Sequence, residues 1–325
     1  MNIIVSKGSV NRSSFGVKNY YNRIFQYLQK YDDLKFSFSN IENRLGLSLL
    51  NNKNSTIWFP AFYGSIIQKR QVITIHDCIN ITHSDINFIQ KSLYKKFVSK
   101  ILSQQPHLVA ISEFTKSEFL NNYNYNESNV TVIKSGFDIL DLPIHKGKGA
   151  QNKSSNEHIL WITNNLSHKN NSFAIKSFIN SDFKKTNLKL IIVGKISKND
   201  ESLLFYNKIN YENLLKIETE QLINLYRNSF FVYSPTLIEG HNLCISEALQ
   251  FNTNVLCSDI PVHREYYEKY VKFFSPIDME NAICSLNKAM FDSSFWNHFY
   301  GSIELSKFSE TASKYYTLFK NIGSE

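Results

Sequence analysis

Up to about residue 144, short unbroken apolar runs alternate with longer stretches in which apolar residues recur at helical spacing. The runs NIIVS (2–6), TIWFPA (56–61), QVITIHD (71–77), HLVAIS (107–112) and VTVIKSG (130–136) predict buried strands. Between them, FGVKNYYNRIFQYLQK (15–30) and INFIQKSLYKKFVSKILSQ (86–104) predict amphipathic helices. The second helix is expected to turn Phe88, Ile89, Leu93, Phe97 and Ile101 to one side, with Lys91, Lys95, Lys96 and Lys100 crowding the rest. The polar stretch IHKGKGAQNKSSNEH (144–158) breaks the pattern and reads as a linker. The pattern then restarts with HILWIT (158–163), LKLIIVG (188–194), FFVYSP (230–235), NVLCSD (254–259) and VKFFSP (271–276). Continuous apolar strands alternating with helices predict parallel sheets covered on both faces. Two such halves predict an α/β protein of two Rossmann-like domains facing each other across a cleft. The expected boundaries are 1–145 for the first domain, 146–156 for the linker and 157–300 for the second domain.

Composition narrows the class. Of 325 residues, 42% are hydrophobic and 14% aromatic, enough for sizeable cores and too many for a disordered chain. The net charge of +8 is uneven: residues 1–145 carry sixteen basic against ten acidic residues, 146–156 add three lysines, and the remainder is nearly balanced. Such a basic half attracts nucleic acid or anionic lipid, or is simply solvated. Cys78, Cys244, Cys257 and Cys284 form no CxxC pair and are expected to be buried free thiols, as suits a reducing cytosol. The first apolar run is too short for a signal peptide, and no run approaches the roughly 18 apolar residues of a membrane span.

In doubly wound folds ligands bind beyond the carboxyl ends of the strands. Polar residues follow several predicted strands: His76-Asp77, Ser112-Glu113, Asn164-Asn165 and Glu239. The segment SPTLIEGHNLCISEAL (234–249) sets Glu239 at a strand end and Glu247 inside a helix. Gly240 offers a backbone conformation that other residues avoid, and Asn242 can cap the helix. The helix start would hold a phosphate through its N–H groups, and Glu247 could reach neighbouring hydroxyls such as a ribose diol. Taken alone, the pair could also be a hydrolytic acid/base pair or half of a metal site.

The stretch from Ser234 to Asp278 resembles the donor-binding segment of retaining GT-B glycosyltransferases of family 4, which includes many bacterial polysaccharide and lipopolysaccharide mannosyltransferases. The shared marks are Glu239 and Glu247 with seven residues between them, then Ser258-Asp259 and Arg264-Glu265. SSFGVKNYYNRIFQYL is similar to that family's first glycine-bearing loop and helix, VITIHD to the strand that delivers a histidine, and SKFSETASKYYTLFKNI to its last helix. The resemblance implies that residues 301–325 cross back to pack on the first domain. It implies that Glu239 lies by the transferred sugar and that backbone groups of Gly240, His241, Asn242 and Leu243 approach sugar and diphosphate. Glu247 would bind the nucleotide ribose, His76 the donor sugar, and Gly16 would let the chain approach the diphosphate.

Asn164 departs from the pattern, standing where the family often carries a diphosphate-binding arginine, whereas the following lysine is present as Lys169. An amide donates less strongly than a bidentate guanidinium. With Lys169 and the helix start stabilising the leaving group, no metal or other cofactor is expected, and the nucleotide-diphosphate sugar is a co-substrate. The resemblance implies hexose transfer, with mannose suggested by family frequency, to a glycan or lipid-linked acceptor in bacterial surface polysaccharide synthesis. The expected location is cytoplasmic, with the lysine-rich helix as a contact to the inner face of the cytoplasmic membrane. Two other classes stay open on the sequence: a sugar-nucleotide epimerase of the same architecture and a basic nucleic-acid-binding Rossmann protein.

Overall fold

The computed structural model describes residues 1–39, 55–82, 88–137, 158–296 and 306–324. The expected linker, 146–156, lies outside the described residues. The chain divides into two compact units, Met1–Ile139 with Leu305–Glu325, and Leu140–Glu304.

Among the described residues the first unit is built on one six-stranded sheet: β1 (Asn2–Ser6), β2 (Lys35–Ser39), β3 (Ser55–Phe59), β4 (Gln71–Ile75), β5 (His107–Ala110) and β6 (Val130–Val132). Its order is β2-β1-β3-β4-β5-β6, with every pairing parallel. β3 and β4 are buried at every position, which is why they read as unbroken apolar runs. Ile57, Phe59, Ile73, Ile75, Leu108 and Ala110 of the sheet pack against Val98, Ile101, Leu102 and Phe119 of the covering helices.

Helix Phe88–Leu102 differs from expectation in its facing. Its core side is Tyr94, Phe97, Val98, Ile101 and Leu102. Ile89 and Leu93 are 68% and 61% exposed. The reason is the 3.6-residue repeat: Tyr94, Val98, Ile101 and Leu102 form one stripe, while Ile89 and Leu93 lie in register with Lys96 and Lys100 on the opposite one. Lys91 is half-buried, and Lys95, Lys96 and Lys100 are exposed.

The last helix, Phe308–Ser324, packs on this same unit, as expected. The Tyr315 hydroxyl is buried 3.2 Å from the Tyr20 hydroxyl and 2.7 Å from Thr74 Oγ1, which also accepts from Trp58 Nε1 at 3.3 Å. At the surface, Tyr316 stacks on Tyr31, and both Tyr316 and Lys320 donate to Asp33. Thr311 Oγ1 donates to the Lys134 carbonyl, and Phe137 N to the Ser306 carbonyl. Between these bonds, a Cβ on Gly136 would lie 2.3 Å from the Phe308 nitrogen.

The second unit carries β7 (His158–Ile162), β8 (Lys189–Val193), β9 (Tyr211–Leu214), β10 (Ser229–Ser234), β11 (Val255–Ser258) and β12 (Lys272–Phe274). The all-parallel order β12-β11-β10-β7-β8-β9 reverses direction between β7 and β10. That reversal is a topological switch point, where strand ends leave a crevice for ligands. Trp161, Phe178, Tyr233 and Phe274 fill the core, Tyr233 stacking on Phe274 at 5.0 Å. All four cysteines are free; Cys78 and Cys257 are buried, but Cys244 is only half-buried and Cys284 is exposed on helix Met279–Phe291, contrary to expectation. No described helix is long and apolar enough to cross a membrane.

Gly136→Ala should destabilise the first unit by about 1–3 kcal/mol, as overpacking against backbone does. Thermal unfolding followed by circular dichroism checks this; an unchanged midpoint would mean that helix Phe308–Ser324 does not seat against Gly136.

Candidate active site

The carboxyl ends of β7 and β10 flank the switch point, and the residues that follow them are tied together. After β7 the chain makes a turn over Ser167–Lys169 and enters helix Asn171–Asn180 through Asn170, which is left-handed at φ 58°. The His168 carbonyl accepts from Leu237 N at 2.8 Å and Thr236 Oγ1 at 2.9 Å. Asn170 Nδ2 donates to the carbonyls of Pro235 (3.2 Å) and Pro276 (2.9 Å). Gly194, after β8, has φ 117°, and a Cβ there would meet the Thr163 carbonyl at 1.9 Å. The loop that carries Lys169 is therefore fixed to the loop that carries Glu239.

The consequence is an ion pair. Lys169 Nζ lies 2.5 Å from Glu239 Oε1, with the two side chains 23% and 11% exposed. Burial pushes the Glu239 carboxyl up, but the Lys169 ammonium and its hydrogen bond outweigh burial and hold it below the usual range. Asn164 is exposed at the start of the loop, its side-chain oxygen accepting from Leu166 N at 3.1 Å.

Asn242 stands at the start of helix Leu243–Gln250, yet its side chain makes no capping bond, contrary to expectation. It turns inward instead. Asn242 Nδ2 donates to Ser234 Oγ at 2.9 Å and to His263 Nε2 at 3.0 Å, and Asn242 Oδ1 accepts from Cys244 Sγ. His263 is buried, and its Nδ1 donates to the Ser258 carbonyl at 2.8 Å. Burial lowers its pKa to about 4, so the ring is neutral and this donor pattern holds at physiological pH. The Asn242 carbonyl accepts from the Tyr267 hydroxyl at 3.0 Å. Ser246 in turn donates to Tyr267 (2.7 Å) and accepts from His241 Nε2 (3.1 Å). Gly240 is buried but not left-handed; among the described residues the glycine with positive φ is Gly194.

Glu247 lies half-buried farther along the helix, accepting from the Tyr226 hydroxyl at 2.5 Å. Burial raises its pKa to about 7, against a smaller downward pull from Tyr226. Cys244, between the two glutamates, is pushed by burial to about 12 and stays a thiol. Among the described residues, no group of three or more His, Cys, Asp or Glu is placed to hold a metal ion. In the first unit, Gly16 lies in the first turn of helix Phe15–Leu28, where Ser14 caps Val17 N. Tyr20 of the same helix meets His76 edge-on at 4.8 Å. His76 Nε2 donates to the Pro60 carbonyl at 2.7 Å, and burial lowers its pKa to about 4. The ring is neutral, which leaves Nδ1 as an acceptor.

The sequence brought out Lys169, Glu239 and Glu247 but not the supporting roles of Asn170, which fixes the Lys169 loop, Tyr226, which binds Glu247, and His263, which holds the Asn242 side chain. Of these three, Asn170 carried a local signal: it opens an Asn-Asn pair directly after Lys169, and asparagine tolerates the left-handed entry to a helix.

The second unit thus places an ammonium–carboxylate pair at the switch point of a doubly wound sheet, where such folds bind ligands. Residues 145–300 match the family described as glycosyl transferases group 1, in agreement with the resemblance of the Glu239–Glu247 segment. A 218-residue stretch, 65% of this chain, is 26% identical to the O-antigen chain mannosyltransferase RfbU of Salmonella typhimurium (strain LT2), and covers 58% of that relative. The chain thus spans less than two thirds of that relative's length. The glycosyltransferase of Rickettsia africae ESF-5 superposes with a TM-score of 0.65 at 16% identity, covering 99% of this chain and 98% of that one. HepE of Anabaena, solved with UDP and glucose, gives 0.63 at 11% identity, covering 100% and 97%. The fold is GT-B.

The Glu247 shift gives a stability test. A carboxyl held near 7 in the folded state, against an ordinary 4.5, binds its proton more tightly when folded. Its ionisation therefore lowers stability as pH rises from 4.5 to above 7. Glu247→Gln should be more stable than wild type at pH 8, by on the order of 1–3 kcal/mol, and equal to it at pH 4.5. Denaturant melts at both pH values check this; equal stability at pH 8 would refute the assignment.

Proposed function

We propose that the chain is a hexosyltransferase that moves a sugar from a nucleotide-diphosphate donor to a glycan or lipid-linked acceptor in lipopolysaccharide or O-antigen synthesis. The observation that carries this reading is the Lys169–Glu239 pair at the switch point beside an uncapped helix start. Breaking a sugar–diphosphate bond puts negative charge on phosphate and positive charge on the anomeric carbon. Lys169 and the N–H groups at the start of helix Leu243–Gln250 would take the first. A diphosphate competing for Lys169 frees Glu239 to accept from sugar hydroxyls. Glu247, whose Oε2 is bound by Tyr226, offers its other oxygen to the ribose. Asn164 would give a neutral contact where related enzymes use arginine, and the neutral His76 would accept from a sugar hydroxyl. Retention of configuration and membership of family 4 rest on the resemblance, and mannose as the sugar is supported by it and by the name of the Salmonella relative; the UDP and glucose of the Anabaena structure support a uridine nucleotide with glucose as the competing donor. No metal or other cofactor enters the proposal.

The test is a thermal-shift screen against nucleoside diphosphates and their sugars, followed by turnover with purified acceptor glycolipid. Lys169→Ala should lower kcat about 100- to 1,000-fold, the size of one lost oxyanion-type donor. Glu239→Ala should abolish transfer in a folded protein, and Glu247→Ala should chiefly weaken nucleotide binding. Near-wild-type kinetics in all three would defeat the proposal. NMR of the donor incubated alone separates transfer from epimerisation, which needs no acceptor.

We infer that helix Phe88–Leu102 docks on anionic lipid at the inner face of the cytoplasmic membrane. Ile89 and Leu93 are exposed beside the exposed Lys96 and Lys100, with Lys95 adjacent; this pattern supports shallow insertion flanked by charge. Each lysine at the surface adds about 1 kcal/mol. Lys96→Glu with Lys100→Glu should lower co-sedimentation with phosphatidylglycerol vesicles more than tenfold, and Leu93→Ser should lower it at any salt concentration. Binding indifferent to both changes counts against the surface.

A further inference from the structure

The Tyr226 hydroxyl is held in place from several sides. Tyr226 is fully buried on helix Thr219–Asn228. Its ring stacks on Phe251 with 5.9 Å between centroids and 23° between planes, and Phe251 is covered in turn by the Arg227 guanidinium at 5.3 Å. The Tyr226 carbonyl accepts from Thr253 Oγ1 at 2.7 Å, and Thr253 N donates to the Ala248 carbonyl on the helix that carries Glu247. The two helices are therefore fixed to each other around one contact, the hydroxyl 2.5 Å from Glu247 Oε2. A phenylalanine would fill the same space without a polar oxygen to desolvate, so packing alone does not account for the hydroxyl.

We propose that Tyr226 is a positioning residue for nucleotide recognition: its hydroxyl fixes the Glu247 carboxylate as a one-sided acceptor whose free oxygen takes a vicinal diol of the nucleotide. This rests on the reading above that Glu247 contacts the nucleotide. A carboxylate has two oxygens and about four acceptor positions; with Oε2 taken, the diol has one oxygen to bind and one rotamer to meet. The titratable groups facing Glu247 are Tyr226 from the neighbouring helix and the Cys244 thiol from its own, and burial keeps both protonated. The Tyr226 hydrogen bond favours the ionised carboxyl, opposing the burial that raises it. Removing the hydroxyl should then move nucleotide binding in pH as well as in strength.

The experiment is calorimetric binding of two probes, a ribonucleoside diphosphate and its 2′,3′-dideoxy analogue, to the full chain from pH 5.5 to 9. Tyr226→Phe should weaken the ribonucleotide about tenfold at pH 7, the size of one hydrogen bond to a charged group, and leave the dideoxy analogue unchanged. The acidic limb of ribonucleotide binding should move to higher pH in Tyr226→Phe and vanish in Glu247→Gln. Equal losses for both probes, or an unmoved limb, overturn the proposal. If Tyr226→Phe does not fold, Thr253→Val, which frees only the Tyr226 carbonyl, must give the same contrast at smaller size. If Glu247→Gln itself leaves ribonucleotide binding and its pH limb intact, it is the nucleotide reading of Glu247 that fails.

Discussion

Asn170 is the residue on which the second unit's site depends. At φ 58° it occupies the left-handed region that asparagine tolerates better than most residues. Its amide reaches both Pro235 after β10 and Pro276 after β12. With the His168 carbonyl accepting from Thr236 and Leu237, the ends of three strands share one set of hydrogen bonds. Lys169, between those two residues, has little freedom left. Holding a long side chain in one geometry costs entropy that a surface ion pair rarely offsets. Here the backbone is fixed first, and the ammonium meets Glu239 with much of that cost already met.

The two glutamates of one short segment are thereby made chemically different. Glu239 is more buried in its surroundings yet stays ionised, because a full positive charge sits beside it. Glu247 has only a neutral phenol, and burial carries its carboxyl to about 7. Groups driven apart in this way usually take separate roles. A hydrolytic pair would need both carboxyls about one sugar bond, at roughly 5–10 Å. They are instead bound to different partners, Glu239 to Lys169 of the β7 loop and Glu247 to Tyr226 of helix Thr219–Asn228.

The buried strands were legible in the sequence because a parallel strand covered on both faces must be apolar throughout. β2 (KFSFS) and β9 (YENL) escaped because they close the sheets at their edges and alternate or expose their residues. Facing was harder than existence. The apolar spacing of helix Phe88–Leu102 predicts five residues on one side, whereas the packed stripe begins at Tyr94 and leaves Ile89 and Leu93 outside. At the site, spacing found the residues with charge but not their supports. Whether Asn242 caps a helix or turns toward His263 depends on a residue 21 positions away, and no local pattern encodes that. Tyr226 likewise reads as one more apolar helix position until its partner is known.

The first unit shows the same dependence over a longer range. His76 meets Tyr20, and Tyr20 meets Tyr315, a contact 295 residues apart in sequence. Trp58, Thr74 and Tyr315 share one buried hydrogen-bonded cluster, so the sheet face under His76 is incomplete without helix Phe308–Ser324. Such a contact closes a very large loop, and its entropy must be met before the packing returns anything. The second unit, continuous in sequence, has no such requirement. The geometry around His76 therefore depends on the terminal helix, which brings Tyr315 to Thr74 and Tyr20.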